Sequence, residues 1–454
     1  MSTEQLRQDA GAPPAASSLS GTGAQVTWRQ WYMVLVLTLL AVFAFIDRQS
    51  LVLLVGPIKQ DLAMTDTQMS LLLGGSFATF YGVLGLPAGY LVDRVSRRGI
   101  MGIGVVLWSA MTFSCGMAGS YTQLFLGRCG VGIGEAAITP ASYSLIRDSF
   151  PPDNRARAFG VFSAAGFIGQ ASAVILTGIM IGFIAAGGLK GVPFLGTLRT
   201  WQAVLVVVGL VGFPLSLLTL TFREPLRFVD GSRQAAGVSF GEALAHLRKH
   251  WQVYLPLTVF ATCYYAQASS YGVWMATVIA RTWGLKPQQI GPLFGGELLI
   301  LAPLGAWFGG LAIDRLTRRG RQDAAPVVGV WTTLVFVPLV IAPPVVPGLN
   351  QMWVSLGVSL LIAAIYYPVS ASLLAQITPQ RLMGKVTAIY LLVFTLLGLG
   401  MGPTLVAAIS DNFFTGPQAI GYALGTASGC LITIALAMAL VLLRAGRRGL
   451  FTTE

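Results

Sequence analysis

The chain has 454 residues, of which 55% are hydrophobic and 10% charged, with a mean hydropathy of +0.72. So little polar surface cannot coat a soluble globule, and the composition specifies an integral membrane protein. The formal net charge of +12 would suit a nucleic-acid partner, but the placement of the basic residues excludes that reading.

Runs of about 20 apolar residues predict twelve spans, near 31–55, 70–92, 100–118, 121–146, 158–184, 201–222, 253–280, 289–313, 325–343, 351–376, 385–410 and 417–443. With those limits about 22 of the 29 Lys and Arg fall in the tails and even-numbered loops, about 5 in odd-numbered loops and about 2 inside spans. That bias places both termini in the cytoplasm and predicts a multi-pass protein of the inner (plasma) membrane. Residues 1–27 are polar and rich in Ala, Ser, Gly and Pro, which predicts a disordered tail and not a secretory signal. Residues 444–454 form a basic C-terminal tail. Cys115, Cys129, Cys263 and Cys430 all lie in apolar runs and read as small core residues.

Span 1 opens with Trp28, Trp31 and Tyr32, suited to the membrane interface, and meets Asp47-Arg48 about eight residues before its outer end. Span 4 carries Arg128, Gly132, Glu135 and Thr139 at i, i+4, i+7 and i+11, which a helix aligns on one face. Arg128 lies about seven residues from the outer end of its span, so it shares a depth with Asp47-Arg48. Contact then requires spans 1 and 4 to be neighbours. A charge at that depth costs roughly 2.5 to 3.5 kcal/mol on insertion scales. Such groups form either a static pair that locks the fold or a pair that titrates or meets substrate.

Thr65-Asp-Thr-Gln68 is a capping box ahead of span 2. At the inner end of span 2, Gly89-x-Leu-x-Asp93-Arg94-x-x-Arg97-Arg98 is echoed after span 8 by Gly310-x-x-x-Asp314-Arg315-x-x-Arg318-Arg319. Thr139-Pro140-x-Ser142-x-Ser144 in span 4 is echoed by Tyr367-Pro368-x-Ser370-x-Ser372 in span 10. Span 2 matching 8 and span 4 matching 10 imply two six-helix halves, 28–222 and 251–443, related by a pseudo-two-fold axis, with substrate at their interface. The expected gate residues are Gly89, Asp93, Arg94, Arg97, Arg98, Asp314 and Arg315, latches at the inner rim that hold an outward-open state.

These residues carry a family resemblance. The Gly89 to Arg98 run resembles the loop between helices 2 and 3 of the major facilitator superfamily. Phe45-Ile-Asp47-Arg48, Gly127-Arg128-Cys-Gly-Val-Gly-Ile-Gly134-Glu135-Ala136, Arg223-Glu224-Pro225, and Gly402-Pro403 with Ile409-Ser410-Asp411 are similar to the Spinster family of lipid transporters. The resemblance covers nearly all of 31–443 and implies the twelve-helix major facilitator fold. It also implies a proton-linked carrier of lysophospholipid or sphingoid-type amphiphiles, with Asp47, Arg48, Arg128 and Glu135 as functional residues. Span 5 lacks the Gly-Pro-x-x-Gly-Gly of drug antiporters, which lowers the drug-efflux reading.

Between the halves, 223–250 is a basic linker containing Arg223, Arg227, Arg233, Arg248 and Lys249. Ser239-x-x-Glu242 would cap an amphipathic helix with Leu244 and Leu247 on the inner leaflet. His246 and His250 stand one turn apart with no third ligand, so no metal is expected. Tyr264, Gln267, Tyr271 and Trp274 form one stripe of span 7, which either packs against neighbours or lines an amphipathic cleft facing Tyr366, Tyr367, Ser370 and Ser372 of span 10. Glu297 is the only charge read as buried in the second half. The expected substrate contacts are Arg48, Arg128, Tyr264, Gln267, Tyr271, Tyr367, Ser370 and Glu297. Gly398, Gly400, Gly402 and Pro403 should bend or loosen span 11.

Asp47, Arg48, Arg128, Glu135 and Glu297 sum to one excess carboxylate, and an unpaired charge in lipid is costlier than a neutral acid. The expected coupling set is Asp47, Arg48, Arg128 and Glu135, in which protonation of an acid releases its arginine to hold an anionic head group. The expected activity is proton-coupled secondary transport by alternating access of a monomer, without cofactors and without enzymatic chemistry. Alternatives are proton-linked symport of small organic anions and multidrug efflux. A nucleotide-driven pump lacks its phosphate loop, since Gly384-Lys385 has Pro379 where the first glycine belongs. A membrane enzyme lacks intramembrane His or nucleophile clusters.

Overall fold

The computed structural model describes residues 26–225, 240–379 and 381–451. Most of the predicted N-terminal tail, Arg227, Arg233, Ser239 and the side chain of Asp93 lie outside the described residues. The spans are Trp28–Leu62, 66–94, Arg97–Gly116, 121–149, Pro152–Ala185 and Thr200–Leu220 in the first half. In the second they are Trp251–Trp283, Pro287–Arg318, Ala324–Ile341, Leu349–Ile377, Met383–Phe413 and Ala419–Arg447. A linker helix, Phe240–Lys249, precedes span 7. The face of the bundle that carries this helix is called the linker face below, and the opposite one the far face.

Among the described residues nine helices are long and apolar enough to cross a bilayer. The other three of the twelve are spans 2, 4 and 7, which turn polar side chains inward: Ser70, Ser76, Arg128, Glu135, Gln267 and Ser270 are all buried. The lipid side is apolar in turn, so an apolar run does not imply a core position. Cys430 illustrates this: it is exposed on span 12, whereas Cys115, Cys129 and Cys263 are buried.

Proline sets the helix breaks. Span 4 interrupts its helix at 136–137 and span 10 at 364–365. In each case a proline four residues on, Pro140 or Pro368, lacks the N–H that the carbonyl of residue 136 or 364 would accept, and its ring crowds that carbonyl. The sequence echo between spans 4 and 10 is therefore also a shared bend. Span 1 tightens into a 3-10 turn over Ser50–Leu54, directly after Asp47-Arg48 and ahead of Pro57. The Thr65 capping box forms, with Thr65 Oγ accepting from Gln68 N at 3.1 Å and Thr65 N donating to Gln68 Oε1 at 3.0 Å. A π-helical turn at Leu71–Gly75 follows in span 2.

Glycine lets the helices close on one another, as expected where no aqueous driving force presses them together. A Cβ on Gly134 of span 4 would stand 2.8 Å from Trp108 N and 2.9 Å from Gly104 O of span 3. Between the halves, a Cβ on Gly178 of span 5 would stand 3.0 Å from the Cα of Gly291 in span 8. Replacing Gly134 with valine inserts volume against backbone, and overpacking of this kind costs about 1–3 kcal/mol. Gly134→Val should lower the thermal midpoint of the detergent-solubilised protein by several degrees. Gly160→Val, where a Cβ meets nothing within 4 Å, should not; equal midpoints for the two would contradict this packing.

Candidate functional site

Spans 1, 3 and 4 place five polar side chains together in the first half. Arg48 Nη2 lies 2.5 Å from Glu135 Oε2, and Arg128 Nη1 lies 3.7 Å from Asp47 Oδ1. Thr112 of span 3 donates to the Asp47 carboxylate, with both oxygens 2.7 Å away. Arg128 Nη2 also donates to the Arg48 carbonyl at 3.4 Å. Adjacent residues on one helix point apart, so Asp47 and Arg48 each reach a different residue of span 4 and the pairs cross.

Asp47, Arg128 and Glu135 are buried, at 0%, 2% and 1% exposure, while the Arg48 side chain keeps 15%. The Arg48 guanidinium carbon sits 4.0 Å from the Phe77 ring centroid, 5.1 Å from Phe45 and 5.3 Å from Tyr81, so aromatic faces supply what water would. Tyr81 in turn reaches Thr139 Oγ at 3.3 Å. Satisfaction is incomplete: Glu135 Oε1, Arg48 Nε and Arg128 Nε have no hydrogen-bond partner among the described residues. The cluster is thus neutral by pairing and retains free acceptor and donor positions.

Arg48 opens onto a central cavity between the halves. Phe45, Gln49 and Leu73 line it from spans 1 and 2, Phe167 and Gln170 from span 5, Tyr265, Gln267, Ser269 and Tyr271 from span 7, Phe294 and Leu298 from span 8, and Tyr366 and Tyr367 from span 10. Gln267 Oε1 and the Tyr366 hydroxyl are buried without partners in this wall. Of the expected substrate contacts, Arg48, Gln267, Tyr271 and Tyr367 line the cavity. Tyr271 also donates its hydroxyl to the Val340 carbonyl.

Four expected contacts are elsewhere. Arg128 is behind Arg48, held by Asp47. Tyr264 is a core residue, stacked on Phe336 and Tyr366 and bonded to Thr333 Oγ at 2.9 Å. Ser370 is buried away from the cavity. Glu297 lies in a groove between spans 8 and 10 with Trp353, Gly357 and Val358. The predicted excess carboxylate is therefore outside the cluster, which holds two acids and two guanidiniums. Trp274 donates to the Pro403 carbonyl at 3.0 Å and ties span 7 to span 11. Phe167, Gln170, Gln49 and Tyr265 escaped the sequence reading; Gln170 is an isolated polar residue in an apolar helix and Gln49 directly follows Asp47-Arg48, which were the available signals.

At the linker face the expected gate residues divide. Arg97 is fully buried, binding Asp148 Oδ2 at 2.5 Å, Glu224 Oε1 at 3.0 Å and the Pro225 carbonyl at 2.7 Å. Arg98 donates to the Phe222 carbonyl at 3.2 Å. Both arginines fasten spans 3 and 4 to the start of the linker and do not reach the other half, because they open span 3 beside the chain leaving span 6. Arg94 stacks over Tyr90 of its own helix at 4.1 Å, Asp314 and Arg315 are exposed, and a Cβ on Gly89 would meet nothing within 4 Å. His246 Nε2 pairs with the Tyr254 hydroxyl at 3.1 Å, holding the linker helix to span 7.

At the far face polar contacts join the halves. Asp66, at the start of span 2, binds Lys59 and accepts from Arg281 of span 7 at 3.1 and 3.3 Å. Thr67 donates from its amide and hydroxyl to Asp411 of span 11, at 3.2 and 2.7 Å. Below them a Cβ on Gly74 would stand 2.7 Å from the Leu399 carbonyl, which leaves no passage between spans 2 and 11 there.

The family model described as Major Facilitator Superfamily matches residues 37–403. An "MFS-type efflux pump" of Mycolicibacterium smegmatis is 28% identical over 91% of this chain and 92% of its own length. "Protein spinster" of Drosophila melanogaster is 25% identical over 88% of this chain and 65% of its own length. A crystal structure titled as a bacterial homolog of the human lysosomal transporter Spinster, inward-facing and unoccupied, superposes with a TM-score of 0.80 at 25% identity, covering 95% of this chain and 98% of that one.

Two predictions follow from the ends of the bundle. Partial burial pushes the Glu224 carboxyl up, but hydrogen bonds from Ser96, from the Arg97 amide and guanidinium and from the Arg98 amide outweigh it and hold the group down at about 2 against an ordinary 4.5. A depressed acid stabilises the fold fully above its ordinary value and loses that contribution as pH falls toward its folded value. Protease cleavage of the linker should therefore stay constant from pH 7 to 5 and accelerate between pH 4 and 2, and Glu224→Gln should cleave at the faster rate at neutral pH. At the far face, hydrogen bonds to charged groups contribute about 1.5–3 kcal/mol. Asp66→Asn should speed labelling of a cysteine placed at Leu73, by an impermeant reagent added at that face, by about tenfold or more. An unchanged rate would remove Asp66 from the closure.

Proposed function

The chain belongs to the Major Facilitator Superfamily, and from that premise we propose that it is a proton-coupled carrier of anionic single-chain amphiphiles, lysophospholipid-like in build. The linker face is cytoplasmic in this reading, following the Lys and Arg bias. With the far face sealed by Asp66, Arg281, Thr67 and Asp411, the state described is then inward-facing. The latches centred on Asp93 and Asp314 belong to the opposite state, and Arg94, Asp314 and Arg315 are consistent with their release here.

The observation that carries the proposal is the position of Arg48: bound to Glu135 on one side and open to the central cavity on the other. A substrate anion and the Glu135 carboxylate compete for this one guanidinium. When Glu135 takes a proton, Arg48 is freed to hold the anion by charge-assisted hydrogen bonds. Proton and substrate therefore load together, which makes the coupling symport. Asp47 and Arg128, with Thr112, form the second pair and return Arg48 to its resting partner by keeping spans 1 and 4 in register. Because removing one member of a buried pair leaves an uncompensated charge, the transition between states requires the proton.

The cavity matches an amphiphile in its two textures. Arg48, Gln49, Gln170 and the unpartnered Gln267 and Tyr366 atoms meet the head group, and Phe45, Phe167, Phe294 and Leu298 meet the chain. The resemblance of the sequence to the Spinster family of lipid transporters supports this class. A second reading, symport of small polyhydroxylated organic acids, is favoured by the three glutamines, which would hydrogen-bond hydroxyl groups.

The test is flux in vesicles with an imposed pH gradient, comparing labelled lysophospholipid with a small sugar acid. Acid outside should raise lysophospholipid uptake about tenfold or more. Glu135→Gln should keep downhill exchange and lose the response to the gradient. Losing the charged hydrogen bonds of Arg48 amounts to about 1.5–3 kcal/mol, or about 10- to 100-fold in substrate affinity for Arg48→Ala. Flux of the sugar acid alone would select the second reading, and gradient-independent flux in the parent protein would refute coupling.

A further inference from the structure

Glu297 remains unused by the central site. It lies ten residues into span 8, which starts at Pro287. At 1.5 Å per residue the 32-residue helix is about 48 Å long, so a hydrocarbon core about 30 Å thick centred on it begins about 9 Å in, and Glu297 lies about 6 Å inside that boundary. Gly357 of span 10 lies opposite, eight residues after Leu349. A Cβ on Gly357 would stand 3.7 Å from Glu297 Oε1 and 2.9 Å from Leu301 Cδ1, so the missing side chain opens room for the carboxyl group. Around it Leu301, Trp353, Val354, Val358 and Leu361 form a groove. Val354 is 69% and Val358 41% exposed, so the groove opens sideways to lipid and not to the central cavity.

Among the described residues no cation pairs with Glu297, and its Oε2 atom is buried without a hydrogen-bond partner. A charged carboxylate inside the hydrocarbon region needs a compensating cation. The lipid-facing walls are apolar, which excludes a hydrated metal ion or a small hydrophilic cation as the occupant. What matches the site is one positive charge on a hydrocarbon chain, with Trp353 providing an aromatic wall for the cation.

We propose that this groove is a second ligand site, separate from the central cavity, that takes long-chain primary amines laterally from the bilayer. The ammonium pairs with the Glu297 carboxylate in the space left by Gly357, and the chain runs along Val354, Val358 and Leu361. The pair forms in a low-dielectric setting, where the Coulomb attraction between the two charges is less screened than in water.

The experiment uses the full-length protein in phosphatidylcholine vesicles with two photoreactive probes, a tetradecylamine and the matching tetradecanol, each with a diazirine on its chain. Crosslinks are mapped by mass spectrometry. The amine should label the span 8 and span 10 peptides about tenfold more than the alcohol, and Glu297→Gln should lower the amine to the alcohol level. Val354→Trp, which fills the exposed mouth and leaves Glu297 intact, should block the amine in a protein that elutes as the parent does on size exclusion. Equal labelling by the two probes, amine labelling that survives Glu297→Gln, or amine labelling undiminished in Val354→Trp would each overturn the proposal. None of these readouts depends on transport, so the proposed function stands or falls separately.

Discussion

Two guanidiniums and two carboxylates inside the hydrocarbon depth must satisfy one another, and most of the first half is arranged so that they can. An isolated charge at that depth is costly, and a crossed double pair is the smallest neutral solution that also holds two helices in register. Asp47 and Arg48 are consecutive, so they leave span 1 in different directions. Arg128 and Glu135 are seven residues apart, two turns on one face of span 4. The result is that one pair, Asp47 with Arg128 and Thr112, is sealed in protein, while the other, Arg48 with Glu135, borders the cavity. The asymmetry gives the two pairs different work in the proposed cycle: one keeps register and the other exchanges partners.

The rest of the fold serves that contact. Gly104 and Gly134 let spans 3 and 4 touch backbone to backbone, and Thr112 of span 3 donates to Asp47 of span 1. Gly132 lies against the backbone of Phe77 and Tyr81, whose rings face Arg48. Pro140 breaks span 4 directly after Glu135, and its counterpart Pro368 breaks span 10 beside Tyr366 and Tyr367, where that span borders the cavity. Closure at the far face is local and polar, made by Asp66, Arg281, Thr67 and Asp411. Contacts of that kind can be exchanged for others at the opposite face without repacking either half.

Much of this was legible in the sequence, and the reasons are particular. Nine of the twelve helices are legible by apolar length, spans 2, 4 and 7 being more polar, and the halves followed from the echoes of 89–98 in 310–319 and of 139–144 in 367–372. The depth of the four charges followed from helical rise alone. Which acid meets which arginine did not, because partner choice depends on how spans 1, 3 and 4 rotate about their axes, and one-dimensional spacing leaves that rotation free. The same limit explains Glu297, Tyr264 and Ser370. An apolar segment fixes membrane depth, but whether a side chain faces lipid, a neighbouring helix or the cavity is decided by packing. Arg97 and Arg98 read as gate residues from the loop motif, yet Glu224, Asp148 and the carbonyls at Phe222 and Pro225 claim them first.

The central claim is that a carboxyl group of the cluster changes protonation as its arginine changes partner. Infrared difference spectroscopy of the protein in lipid, between alkaline and acidic pH, observes that event at the carboxyl C=O stretch. The account predicts a band of protonated acid that grows on acidification in the parent protein and is weaker in Glu135→Gln, where the remaining signal comes from Glu297 and the acids outside the cluster. A parent spectrum without such a band, or one that Glu135→Gln leaves unchanged, would contradict the account.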